Sequence, residues 1–461
     1  MSALLPTPPK SVLDSFGTSV QASLAPDVLA MIQESSEGEE KRDLVTKYVR
    51  SLLKNAAKIQ FAVRIGDASS VVVDLVEESR GIITTVLEVV GSDPTKREGF
   101  LANAIEKFTE IRMMQHFFQT GKLPSPSALQ PCNDEEYVGA ALGFAQELSR
   151  YVVGRASDGD EHSIRICQSL IVQLNAKMLE FDFRNGPLRR KYDGLKYALK
   201  TVEDILYELS LLHPASEFEQ GPDSKRRKFE GGEDNDGESA AAEATNELID
   251  GPELDAIRQR MDTYDKLREE VIKQSRDVQK LAKQAIFSVH RSALADAQKK
   301  LDEAKKVALS ILTMMEQSPA LRYGALSNSL EEWAEGAMTL EWVKNSRVAS
   351  RADMPFVNTH EYVGALSDFT GEIGRLAVAS ASKRDLTAVR NVLQADVAIY
   401  AGLMQINVGG KYTKKCDAVQ QNLRKVEDVG YELSMLQRGA RAVAKRDDVP
   451  TASKDEGGQE D

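Results

Sequence analysis

Apolar residues recur along this chain at the three- and four-residue spacing of an amphipathic helix, and no stretch alternates convincingly as a half-buried strand would. In the second half, Leu326, Leu330, Trp333, Ala337 and Leu340 share one helical face, as do Tyr362, Leu366, Phe369, Ile373 and Leu376. Breaks fall at Ser318-Pro319, Met354-Pro355 and Gly409-Gly410, where Pro and Gly interrupt helices. Asn358-Thr359-His360-Glu361 places capping side chains ahead of the Tyr362 helix. The first half has the same grammar, broken at Asp93-Pro94, Leu123-Pro124-Ser125-Pro126 and Gly186-Pro187. The pattern predicts an all-α chain of two tandem helical bundles, with about six helices in each.

The two bundles are copies of one unit. Tyr137-Val-Gly-Ala-Ala-Leu-Gly-Phe-Ala-Gln-Glu-Leu-Ser-Arg150 returns 225 positions later as Tyr362-Val-Gly-Ala-Leu-Ser-Asp-Phe-Thr-Gly-Glu-Ile-Gly-Arg375. Val202-Glu-Asp-Ile-Leu-Tyr-Glu-Leu-Ser-Leu-Leu212 returns 224 positions later as Val426-Glu-Asp-Val-Gly-Tyr-Glu-Leu-Ser-Met-Leu436. A register held through two separated blocks marks a duplication, and each copy then serves as a control for the other.

Composition sharpens the domain plan. At 461 residues, 42% apolar and 28% charged, each half is long enough to bury its own core. Residues 214–250 hold eleven acids against four bases and few apolar side chains. Such a segment cannot bury enough surface to offset its ordering entropy, and 213–250 is expected to be a disordered acidic linker. Disordered ends are expected at 1–40 and 439–461, around helical domains at 41–212 and 251–438. The net charge of −12 is therefore concentrated outside the bundles and says little about their ligands. Within the linker, Lys225-Arg226-Arg227-Lys228 forms a basic run of the kind a nuclear import receptor reads, against the plainer alternative of a solvated charge cluster. Cys132, Cys167 and Cys416 are too widely spaced for a disulfide framework or a zinc site. No run approaches the roughly 20 apolar residues of a membrane span, and no signal peptide is evident. A soluble protein of cytoplasm and nucleus, with no membrane partner, is expected.

Candidate chemistry emerges from the duplication. Glu332 and Glu335 sit three apart, and Asp368 and Glu372 four apart, so each pair occupies one helix face. The corresponding residues of the first copy are Lys107, Glu110, Gly143 and Glu147, which halves each pair. Four carboxylates facing one another repel unless a cation joins them, and oxygen-only ligation suits Mg²⁺ or Mn²⁺. Acid pairs at helical spacing also mark ordinary solvated faces, but here they lie beside the apolar stripe among Val363, Gly364, Ala365, Gly371 and Gly374. A di-iron bundle needs Glu-x-x-His, and none of the five His has Glu three residues before it.

At these residues the chain resembles the translin family in both halves. The second half is similar to the family's TRAX branch, through Glu253-Leu-Asp-Ala256, Tyr264-Asp-Lys-Leu267, Ser275-Arg-Asp-Val278, Ser288-Val-His-Arg291, Leu330-Glu-Glu-Trp-Ala-Glu335 and Tyr362-Val-Gly-Ala-Leu-Ser-Asp-Phe-Thr-Gly-Glu372. The first half resembles the translin branch, best in Gly143-Phe-Ala-Gln-Glu-Leu-Ser-Arg150 and Leu188-Arg-Arg-Lys-Tyr-Asp-Gly-Leu-Lys-Tyr197. The resemblance implies hollow oligomeric barrels and a Mg²⁺-dependent endoribonuclease that removes silencing passenger strands and trims tRNA fragments. It places the catalytic and metal-binding acids at Glu332, Glu335, Asp368 and Glu372, and single-stranded RNA or DNA on the translin-like half. One departure stands out: the family's basic, histidine-rich stretch falls near Lys96–Phe100, where this chain has no histidine.

RNA binding requires phosphate contacts. The candidates are Arg276, Lys280 and Lys283 along one helix face and Arg189, Arg190 and Lys191 at a helix start; Lys411, Lys414, Lys415, Arg424 and Lys425 form a third group. Trp333 and Trp342 are expected in the core. A non-catalytic single-stranded nucleic-acid-binding scaffold is the alternative function, and a helical interaction protein binding neither RNA nor metal is a third.

Overall fold

The computed structural model describes residues 13–66, 69–91, 97, 99–184, 186–212, 247–406 and 411–437. Twelve α-helices and no strand occur among the described residues. The first copy supplies α1 (Ser15–Arg64), α2 (Ser70–Val90), α3 (Phe100–Thr120), α4 (Asp134–Ser157), α5 (Glu161–Met178) and α6 (Pro187–Leu212). The second copy repeats the series as α7 (Gly251–His290), α8 (Leu294–Met314), α9 (Ala325–Asn345), α10 (Thr359–Ser382), α11 (Leu386–Leu403) and α12 (Lys411–Gln437). Among the described residues, no helix is long and apolar enough to cross a membrane.

The chain divides into two compact units. One runs from Lys41 to Leu267; the other joins the residues up to Glu40 to those from Arg268 onward. Each unit therefore includes the first part of the other copy's leading helix. In the 41–267 unit, Glu253 accepts hydrogen bonds from the Ser127 amide and hydroxyl at 3.2 and 2.9 Å, and Arg260 grips Asp134 through two 2.7 Å bonds. The equivalent positions do the same work in the other unit. There Asp27 accepts from the Arg351 amide at 2.9 Å, and Glu34 holds the Arg351 guanidinium at 2.8 Å.

This corrects the expectation of disorder for residues 15–40 of the segment 1–40, because α1 begins at Ser15; residues 1–12 lie outside the described residues. Val20, Leu24, Val28 and Met31 are buried at spacings of four, four and three, an apolar stripe obscured in the sequence by Pro26 and the acid-rich run that follows. The end of the expected linker is also placed. The Leu248 carbonyl accepts from the Leu123 amide at 2.8 Å, its amide donates to Gln173 at 3.0 Å, and Ile249 is buried. Lys225–Lys228 and residues 439–461 lie outside the described residues.

At the centre of each unit is a helix buried on nearly every side, α4 in one and α10 in the other. Small residues permit this: a Cβ on Gly139 or Gly364 would strike the Glu106 or Glu331 carboxylate at 2.5 and 2.3 Å respectively. Both helices start with a capping box, Asn133 with Glu136 and Asn358 with Glu361. The capping glutamates are then clamped from a distant loop. Arg322 donates to Glu361 at 3.1 and 2.6 Å and to the Phe356 carbonyl at 2.8 Å; Arg97 holds Glu136 and the Pro131 carbonyl in the same way. One residue on, Tyr137 and Tyr362 bury their rings and donate to the Pro124 and Ala349 carbonyls at 2.8 and 3.0 Å.

One buried group breaks the pattern. Asp396 in α11 is fully buried with both carboxylate oxygens unpartnered, and burial alone pushes its pKa well above the usual carboxylate range. The first copy has Ile171 there.

Two stability changes of opposite sign are expected. Arg322→Met strands the fully buried Glu361 and should cost about 3–5 kcal/mol, read as a lower denaturant midpoint. Asp396→Ile removes an unsatisfied buried carboxyl and should stabilise by about 1–3 kcal/mol. Folded Asp396 keeps a proton that the unfolded chain releases, so its presence lowers stability as pH rises above the ordinary carboxylate range. The gain from Asp396→Ile should therefore grow with pH in melts recorded across that range.

Candidate metal and nucleic-acid site

In the unit that contains the second copy, α9 carries Glu331, Glu332 and Glu335, while α10 packs against it and carries Asp368 and Glu372. Glu335 and Glu372 are buried, Glu332 is half-buried and Asp368 is exposed. The four expected acids form one electrostatic cluster. The Glu335 pKa is pushed up to about 8, first by burial and then by the charges of Glu332, Asp368 and Glu372. Burial also raises Glu332, against the pull of Lys283 and a hydrogen bond to Gln279.

Internal cations hold parts of the cluster. Lys415 binds Glu331 and lies 2.8 Å from Asp368 Oδ2 and 3.3 Å from the Gly364 carbonyl. His290 Nε2 is 2.5 Å from Glu372 Oε2, and Arg375 is 2.8 Å from Glu372 Oε1. Lys283 stands 3.7 Å from Glu332. With these partners in place, no three His, Cys, Asp or Glu side chains among the described residues already gather as a metal cage. The donor set is nonetheless oxygen-rich and mutually repelling, the chemistry that a hard divalent cation relieves.

The first copy has cations where the second has Glu332 and His290. Lys107 pairs with Glu110 at 2.5 Å, and Glu147 is held at 2.6 Å by both Arg64 and Arg150. Burial raises Glu110 despite its Lys107 partner. For Glu147, burial also works upward, but the Arg64 bond and the charges of Lys107 and Arg150 outweigh it and lower the pKa. A Cβ on Gly143, where the second copy has Asp368, would meet Glu110 at 2.5 Å. Thus the positions of Lys107 and Arg64, both permanent cations, are filled by Glu332 and His290 in the second copy.

Sequence reasoning missed Glu331 and His290. The signal for Glu331 was its retention as Glu106, each bound by an equivalent lysine, Lys415 and Lys191. For His290, the signal was its register with Arg64.

The expected RNA-binding residues divide. Arg276 and Lys280 are exposed on α7, as is Lys283 despite its approach to Glu332. Arg190 is exposed, and Arg189 lies 3.3 Å from Asp193 and over the Tyr192 ring. Lys191 and Lys415 instead turn inward to their glutamates, because each carboxylate is half-buried and lacks another cation. Arg97, from the basic stretch near residue 100, is likewise committed to Glu136. Trp333 is buried and donates to the Leu301 carbonyl at 2.9 Å; Trp342 packs edge-on against Phe369 and Phe16.

The Translin family model matches residues 40–212 and 266–437. Translin of Homo sapiens is 36% identical over 77 residues, 17% of this chain and 34% of translin, so the chain spans about a third of the translins it matches. The translin-associated protein X homolog of Schizosaccharomyces pombe is 22% identical over 203 residues, covering 40% of this chain and 88% of that protein. Among solved structures, apo-NeC3PO is similar at 21% identity and a TM-score of 0.37, over 40% of this chain and 97% of that one. The AfC3PO–duplex RNA complex is similar at 16% identity and the same TM-score, over 40% and 98%. With its domain present twice, the chain belongs to the Translin family, as a translin/TRAX-like fusion.

Proposed function

We propose that this chain is a Mg²⁺-dependent endoribonuclease acting on single-stranded RNA, such as silencing passenger strands or tRNA fragments, with Mn²⁺ able to replace Mg²⁺. The observation that carries this reading is the contrast between copies. Glu110 is paired with Lys107 in the first copy, whereas its counterpart Glu335 faces Glu332, Asp368 and Glu372 and is pushed up to about 8, first by burial and then by those charges. Glu332, Glu335, Asp368 and Glu372 would hold the ion. When bound, it would activate a water and neutralise charge on the phosphodiester. His290 would orient Glu372, and Lys415 would hold Asp368 and Glu331. Exposed bases on α6 and α7 supply phosphate contacts for single-stranded RNA or DNA. In this reading the chain self-associates as a homo-oligomer and serves both cytoplasm and nucleus, with Lys225–Lys228 as the import address.

The alternative is a nucleic-acid-binding scaffold without cleavage. The pairing of Glu372 with His290 and Arg375, and of Asp368 with Lys415, favours it.

Cleavage of a labelled single-stranded RNA by the intact chain, with Mg²⁺ and with chelator, decides between them. Glu332→Ala, Glu335→Ala, Asp368→Ala and Glu372→Ala should each lower the rate on the order of 10²–10³-fold while RNA binding persists. Glu110→Ala and Glu147→Ala should cleave like the parent. Metal-independent cleavage, or equal losses from both copies, would refute the proposal.

The acid cluster also has a stability signature in metal-free protein. Folded Glu335 retains a proton that the unfolded chain loses near 4.5, so stability should decline as pH rises from 4.5 to about 8. Glu335→Gln should flatten that slope, as measured by chemical denaturation in chelator.

A further inference from the structure

The leading helix of each copy carries a basic and aromatic ridge that the acid site does not account for. On α7, Arg276, Lys280, Lys283 and Phe287 are exposed at spacings of four, three and four, and exposed Arg291 follows directly after the helix ends. On α1, Arg50, Lys54, Lys58 and Phe61 are exposed along the matching face. Three pairs are identical at a constant separation of 226 positions: Arg50 with Arg276, Lys54 with Lys280, and Phe61 with Phe287. Some exposed neighbours have drifted, Ser51 to Asp277, Ala57 to Lys283 and Lys58 to Gln284, while Lys47 and Lys273 have not. Packing explains retention of buried residues between copies, but not retention of these.

The aromatic rings are the least expected members. Phe61 is 66% exposed and Phe287 60% exposed, which forfeits the burial such rings normally gain. The Arg291 guanidinium lies 5.3 Å from the Phe287 centroid. No acid among the described residues is paired with Arg276 or Lys280. Eleven residues are close to three helical turns, so Arg276 and Phe287 lie in one line about 16 Å long.

We infer that Phe61 and Phe287 are base-stacking platforms on these ridges, with Arg50, Lys54 and Lys58 adding on α1 the phosphate contacts already assigned to the exposed bases of α7. A charged groove or ridge punctuated by an exposed aromatic fits an unpaired strand, whose bases offer free π-faces, better than a duplex, whose bases are already stacked. A contact between copies is the competing explanation for an exposed Phe, but pairing this face with itself would set Arg and Lys against Arg and Lys. On α7 the ridge runs beside the acids: Lys283 reaches Glu332, and His290, three residues after Phe287, reaches Glu372. A base stacked on Phe287 would therefore lie next to the carboxylate cluster. The platforms rest on the single-stranded nucleic-acid reading proposed above; only that last step rests on cleavage.

The test is fluorescence anisotropy of the intact chain in chelator, where cleavage plays no part. The probes are a labelled oligouridylate of about 20 nucleotides, long enough to span one such binding site, and the same strand annealed to its complement. Phe287→Ala and Phe61→Ala should each weaken single-strand binding roughly 5- to 100-fold, with an unchanged salt slope, and Phe287→Trp should restore it. Arg276→Gln with Lys280→Gln should instead make the salt dependence shallower, by about 0.7 per lost phosphate contact. Assembly mass by light scattering should not move. The inference is overturned if the Phe→Ala variants bind like the parent, lose duplex binding equally, or lose affinity only together with assembly mass. A parent chain that binds but does not cleave with Mg²⁺ would refute the ribonuclease reading and leave the ridges standing.

Discussion

The buried ion pair at the start of each central helix is the constraint on which the rest depends. Glu361 is fully buried, and its carboxylate is satisfied by Arg322 and by the Asn358 amide it caps. Asp368 and Glu372 follow seven and eleven residues later, two and three turns along the same helix face. Fixing the rotation of α10 at Glu361 therefore fixes where both acids point. The same clamp in the first copy, Arg97 on Glu136, directs Gly143 and Glu147 to matching positions. A shared frame presents different chemistry because Gly143 is replaced by Asp368 on it, and Lys107 and Arg64 by Glu332 and His290 on the helices beside it.

Much of this was legible in the sequence. Helical spacing and Pro/Gly breaks revealed six helices per copy, and the register between copies singled out Glu332, Glu335, Asp368 and Glu372, which do share one electrostatic environment. What stayed hidden were partnerships across long sequence separations. Periodicity tells which face a residue occupies but not what it meets, so Lys191 was read as an outward phosphate contact when Glu106, 85 residues away, claims it. His290 escaped because its partner Glu372 lies 82 residues distant and fits no local motif. Residues Ser15–Glu40 were misread for another reason: a helix whose apolar stripe packs in the other copy's unit has no nearby sequence to complement it.

The two copies differ less in shape than in who supplies the positive charge. In the first, Lys107 and Arg64 are permanent cations attached to the chain. In the second those positions are Glu332 and His290, while Arg375 and Lys415 still pair with Glu372 and Asp368. Glu335 is left to accommodate its neighbours by holding a proton. The first copy places a lysine beside Glu110; the second places another acid beside Glu335.

Covalent fusion of the two copies has a consequence for dosage. Where two related subunits are made separately, the ratio in which they combine follows their relative expression, and assemblies of one kind alone can form. Here translation delivers one cation-filled copy with every acid-bearing copy. Neither transcriptional imbalance nor selective degradation of a free partner can change that proportion, so its control is moved from the cell to the polypeptide.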